Sequence, residues 1–161
     1  MFLKIARIQK KQHSNGMRRI NRIVLHCTAT SASATVESIQ NYWKNVLGWK
    51  SPGYHYLIDR NGKAHYLQPI EKASNGVRGY NADSIHISYI GGKNQDDRTA
   101  AQKETMKATI ISLKSMLGDI PVLGHRDLSK DLNGNGVIEP HEWVKLCPRF
   151  EVKEWLESVD L

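Results

Sequence analysis

No stretch of about 20 apolar residues, the length a membrane-spanning helix needs, occurs anywhere in the 161-residue chain. Cysteine is scarce as well. Two residues, Cys27 and Cys147, are too few for the disulfide framework that holds small secreted domains together. The opening Met1-Phe2-Leu3-Lys4-Ile5-Ala6-Arg7 lacks the apolar core of a signal peptide. A product made in the cytoplasm is therefore expected to reach an outside target by another route, such as a pore or host lysis. Acid is missing from the first 22 residues, where Lys4, Arg7, Lys10, Lys11, Arg18, Arg19 and Arg22 carry seven positive charges. After Ile20 no linker, repeat or low-complexity run breaks the chain, so residues 1–19 read as a basic arm and 20–161 as one domain.

What is present suits a compact enzyme-sized core. A chain of this length buries roughly 70% of its unfolded surface without staples. The net charge of +7 suits an anionic partner: nucleic acid, a membrane surface or an acidic wall polymer. Arg22–Cys27 is rich in β-branched residues and reads as a buried strand. Val36, Ile39, Trp43 and Val46 or Leu47 recur at helical spacing, with Thr35 or Ser33 as cap and Gly48 as stop. Tyr54–Asp59 and Ala64–Leu67 flank Asn61-Gly62, a hairpin signal. Ser84–Ile90 is a further strand. A helix over Thr99–Leu117 turns Met106, Ile110, Leu113 and Leu117 to one side, a short strand covers Ile120–Leu123, and a terminal helix covers Phe150–Leu156. This order predicts an α/β fold, a mixed central sheet flanked by helices.

Three potential metal ligands fall at element ends: His26, His125 and Cys147. Two imidazoles and a thiolate form a tetrahedral zinc site with one position open to water, the catalytic layout. Their separations of 99 and 22 residues match no local zinc motif. On spacing alone, His26 reads as a satisfied strand histidine and Cys147 as a small buried apolar residue. Cys27, next to His26 in a strand, points to the opposite face and reads as a core thiol. His86 alternates away from Ile85 and Ile87 and reads as a bystander.

The surrounding blocks carry more. Val24-Leu25-His26-Cys27-Thr28-Ala29-Thr30, Gly53-Tyr54-His55-Tyr56, Lys72-Ala73-Ser74 with Gly79-Tyr80-Asn81, Ser84-Ile85 with Gly91-Gly92, Gly124-His125-Arg126-Asp127 and Lys145-Leu146-Cys147-Pro148 occur in that order. Together they resemble the type 2 zinc-dependent N-acetylmuramoyl-L-alanine amidases, which include phage lysozyme-type enzymes and share a fold with animal peptidoglycan recognition proteins. The resemblance runs from about Asn21 to Leu156. It implies that His26, His125 and Cys147 hold Zn²⁺, that Tyr54 stands beside the attacking water, and that Lys145 faces the scissile carbonyl. One position departs: many phage-type members carry a histidine where this chain has Gly76, a contact that Arg78 or His86 would have to supply.

A second metal motif lies between the zinc ligands. Asp131 to Glu142 fits the calcium-loop pattern D-x-[DN]-x-[DN]-G-x5-E. Its ligands would be Asp131, Asn133, Asn135, the Val137 carbonyl, Glu139 and Glu142, with Gly136 at the sharp turn. No amphipathic helix enters it and Pro140 sits inside it, so an isolated Ca²⁺ loop is expected, inserted at 131–142. An ion-free Asn/Gly-rich turn is the alternative.

The expected function is hydrolysis of the amide between N-acetylmuramic acid and L-alanine in bacterial peptidoglycan, by a monomer that acts on the cell wall after release. The alternative is a non-catalytic peptidoglycan-binding module. Nucleic acid is not an expected partner, because the basic tail contains only Phe2 to stack on bases.

Overall fold

The computed structural model describes residues 17–161. Strand β1 (Arg22–Cys27) is an interior strand of a five-stranded sheet, one in from its edge. With β2 (Tyr56–Ile58), β3 (Ala64–Tyr66), β4 (Ser84–Tyr89) and β5 (Val122–Gly124), the order is β3-β2-β4-β1-β5. β1 pairs in parallel with β4 and β5, β2 in parallel with β4, and only the β2–β3 hairpin is antiparallel. The expected mixed sheet is therefore the one observed. The Asn61-Gly62 turn closes the hairpin with Gly62 at φ +85°, though both strands are shorter than their apolar patterns suggested.

Alternation along the strands divides the sheet into two faces. Ile23, Leu25, Cys27, Ile58, Ile85, Ile87 and Tyr89 point to one side and join the main core. Helix α2 (Ala100–Leu117) covers that face, and Met106, Ile110, Leu113 and Leu117 are all buried there. Each such side chain contributes about 1.5–3 kcal/mol of transfer free energy. Thr99 caps α2 by accepting from the Gln102 N–H while Gln102 returns the bond, and Gly118 ends it at φ +97°. Helix α3 (Val152–Ser158) also packs here, starting two residues later than its sequence pattern implied.

The opposite face is only partly covered. Helix α1 (Val36–Asn41) starts at the Thr35 cap but gives way at Tyr42–Val46 to a π-helical turn, with Leu47 N–H reaching back to the Tyr42 carbonyl. The wider turn breaks the 3.6-residue spacing. Ile39 and Trp43 stay buried against Leu57 and Ile90, whereas Val46 and Leu47 face solvent, contrary to the helical pattern. Beside α1 opens a cleft of about 760 Å³, lined among others by Cys27, Trp43, Tyr54, His125, Lys145 and Cys147.

The basic arm read over residues 1–19 falls mostly outside the described residues. Within them, Met17 packs on the core and the Arg18 guanidinium donates to the carbonyls of Ile70, Asn81, Ala82 and Ser84.

Candidate active site

The cleft opens at the carboxyl ends of the parallel strands β1 and β5, where α/β sheets characteristically place ligands. His26 lies one residue from the end of β1, with 1% of its surface exposed. Because Leu25 pairs with Gly124, the residue after β5, His125, emerges beside His26, and their ring centroids are 5.0 Å apart. A 3-10 turn over His125–Leu128 follows, and the Arg126 N–H donates to the Cys147 carbonyl at 3.0 Å. That bond draws the 145–147 segment over the strand ends.

The sequence-separated His26, His125 and Cys147 thus converge: one ligand atom from each lies within 4.8 Å of the others. Cys147 Sγ is 3.6 Å from His26 Nδ1 and accepts the Cys27 backbone N–H at 3.2 Å. Two imidazoles and one thiol are a donor set that would suit a catalytic zinc ion. Electrostatics point the same way. Burial pushes the His26 pKa far below its ordinary value, helped by His86, His125 and Lys145. Burial and then Lys145 bring His125 down to about 4. Both rings are therefore neutral at pH 7, as ligation requires. Burial and then the Cys27 thiol drive the Cys147 thiol well up, with Lys145 opposing them; a cation bound there would favour the thiolate.

Tyr54 and Lys145 line the same cleft. The Tyr54 ring is 5.0 Å from that of His26 and stands edge-on to Trp43 at 5.4 Å. Gly53 must be glycine for this packing, since a Cβ there would lie 2.9 Å from the Trp43 ring. The Tyr54 hydroxyl donates to the Cys27 carbonyl at 3.3 Å. Burial first, then the two cysteines, raise its pKa, so it remains a phenol and a donor. Lys145 is exposed and supplies positive charge near the two histidines. Arg78 and Lys130 add basic groups along the cleft.

His86 was read as a bystander. It does leave the apolar face of β4, but the structure brings its Nδ1 to 2.9 Å from His26 Nε2 with no exposed surface. Period-2 alternation shows which face a residue takes, not that this face floors a site. His55 supports His86: its Nδ1 accepts the His86 backbone N–H at 3.0 Å, and its ring stacks on that of His86. Arg78 lines the cleft, as does Gly76.

Along 131–142 the oxygens expected to bind calcium meet the loop's own amides. Asp131 accepts from Gly134 and Gly136 N–H, both at 2.7 Å, and Asn133 and Asn135 accept from Asn135 and Val137 N–H. The Glu142 carboxylate accepts from Leu132, Asn133 and Glu139 N–H, and these bonds lower its pKa, the Glu139 bond most. Glu139, His141 and Glu142 also place one donor atom each within 4.8 Å of one another. Gly134 and Gly136 take the positive φ values the tight turns demand.

Comparison with known proteins accords with this geometry. The family model described as N-acetylmuramoyl-L-alanine amidase matches residues 16–142. An endolysin of Escherichia phage T7 is 29% identical over 160 residues, covering 98% of this chain and 96% of its own. Among solved structures, the endolysin amidase LysCS of Clostridium intestinale superposes with a TM-score of 0.70 at 22% identity, over 91% of this chain and 86% of that one. Bumblebee PGRP-SA gives 0.67 at 21% identity, over 86% and 80%.

Proposed function

The chain belongs to the N-acetylmuramoyl-L-alanine amidase family, and we propose that His26, His125 and Cys147 are where it holds the zinc ion for that hydrolysis. Its reaction is cleavage of the amide that joins N-acetylmuramic acid to L-alanine in peptidoglycan. The observation that carries the zinc reading is the convergence of these three donors, from the middle and the far end of the chain, within 4.8 Å at the cleft.

Bound there, zinc would supply a Lewis acid that lowers the pKa of water from about 16 to about 7 and polarises a carbonyl. The protein groups do the rest. His26 and His125, kept neutral by burial, offer lone pairs, while the Cys27 N–H supports the Cys147 sulfur. The Tyr54 hydroxyl would hold the attacking water or the substrate oxygen by turning its one O–H away from the Cys27 carbonyl. The Lys145 ammonium stabilises the negative charge that develops on the lactyl carbonyl oxygen. Arg78 and Lys130 suit the carboxylates of the stem peptide.

We also propose that the 131–142 loop takes calcium and thereby orders the segment leading to Lys145 and Cys147. What supports it is the full set of specified loop positions and a Glu142 carboxylate that ties both ends of the loop together. Action on the wall after release from the cytoplasm, as a monomer, completes the proposal.

The test is incubation of zinc-loaded protein with purified peptidoglycan, following newly exposed L-alanine amines. Cleavage by the wild type and its loss in Cys147→Ser are expected. Binding of unaltered peptidoglycan, equal in both proteins, would instead identify a recognition module.

A further inference from the structure

The cleft floor holds a line of hydrogen bonds whose direction is fixed from one end. Asn81 Oδ1 lies 2.8 Å from the Val77 backbone nitrogen. That N–H can only donate, so the Asn81 atom facing it is the carbonyl oxygen. The same oxygen is 2.9 Å from His86 Nε2; since it can only accept, His86 Nε2 carries a proton. The His86 ring has no exposed surface, and its ring nitrogens meet only Asn81 Oδ1 and His26 Nε2, so a charge there would be buried without a counter-ion and the ring is neutral. Its Nδ1 is therefore a lone pair, and the nitrogen 2.9 Å away, His26 Nε2, must be the donor. This leaves the other His26 nitrogen, Nδ1, bare, and it is the one 3.6 Å from Cys147 Sγ. A backbone amide four residues from Asn81 thus sets, through two side chains, which nitrogen His26 offers to the cleft.

Space for this arrangement is provided by Gly76. A Cβ at that position would lie 2.3 Å from both Cγ and Nδ1 of His86, a clash that only movement of the ring would relieve. From below, His55 stacks on the ring at 5.9 Å between centroids and accepts the His86 backbone N–H. The ring has no freedom to turn.

We propose that His86 and Asn81 are positioning residues that lock His26 in the tautomer with Nδ1 free for the metal, and that Gly76 is glycine to admit the His86 ring. The proposal rests on the zinc reading above. Outer hydrogen-bond partners of ligating histidines are generally worth about 10- to 100-fold in metal affinity.

Two measurements test it on the full chain. In the ¹⁵N-labelled metal-free protein, long-range ¹H–¹⁵N spectra should show His26 protonated at Nε2; a proton at Nδ1 overturns the proposal. In chelator competition with Zn²⁺ alone, His86→Phe should weaken binding by about 10- to 100-fold. His86→Gln keeps a carbonyl to accept from His26 and should recover most of that loss, which a change in packing alone would not allow. Gly76→Ala should weaken zinc binding where His86 is present and have little effect in a His86→Ala background. Zinc uptake that depends on Cys147 but is equal in wild type and His86→Phe overturns the positioning role alone. A wild type that takes up no zinc overturns the metal reading and this one with it.

Discussion

The two halves of the site are built in opposite ways. His26, His86 and His55 stand on or beside the sheet, buried and bound to one another and to strand backbone. Lys145 and Cys147 arrive on an irregular segment in which Leu132, Val137, Val144 and Leu146 are exposed. Polar bonds tie that segment down, among them the Glu142 carboxylate on three amides, the Arg126–Cys147 backbone bond, the Cys27 N–H on Cys147 Sγ, the Val144 N–H on the Ser129 hydroxyl, and the Arg126 guanidinium 3.9 Å above Trp143 while paired with Glu151. The sheet half owes its geometry to a core that cannot rearrange cheaply. The loop half owes it to polar bonds near solvent, so it is the half where small changes tune the chemistry.

The largest effect should come from removing Cys147, the proposed zinc ligand that joins the halves. Cys147→Ser should lower amide cleavage by about 10³-fold or more, the scale of charge stabilisation a metal provides, with zinc content by elemental analysis falling in parallel. Next, Lys145→Met attacks the loop half alone. Loss of one oxyanion-stabilising group should reduce kcat by about 10²–10³-fold, while the Tm stays near the wild-type value because the side chain is exposed. Equal losses of Tm and rate would erase the distinction between the halves.

The sheet half can be stressed separately with acid. Burial, with Arg18 nearby, holds His55 at about 4, against 6.5 in the unfolded chain, although the Lys72 carbonyl favours the charged form. The unfolded state therefore takes the proton first. The stability linked to His55 is complete above pH 6.5 and is lost as pH falls toward 4, by up to about 3 kcal/mol. Denaturant unfolding of metal-free wild type and His55→Gln across that window should give converging curves at the acid end. The smallest effect belongs to Glu142→Gln. It should lower kcat by about tenfold through misplaced Lys145 and abolish any rise in Tm on adding calcium; an unchanged kcat would detach the loop from the chemistry.

The same contrast governs what the sequence revealed. β1 and α2 were legible because their signals are local: a β-branched run in one and four apolar residues at helical spacing in the other. The π-turn at Tyr42–Val46 was not, since nothing in an apolar period announces an i+5 bond. The identities of the three donors were visible through the motif blocks, but their meeting depends on parallel pairings across about a hundred residues. His86 was hidden for that reason: only the register Val24↔His86 puts it diagonally beside His26. Arg18 looked like part of a charged tail because a guanidinium that collects four carbonyls has no sequence signature.

That long-range pairing also has a consequence in time. β1 leaves the ribosome early, yet its partner strand β5 follows about a hundred residues later and Cys147 later still. At 5–20 residues per second, roughly ten seconds separate the synthesis of the first donor from that of the last. A nascent chain thus cannot bring the three donors together until Cys147 has been made.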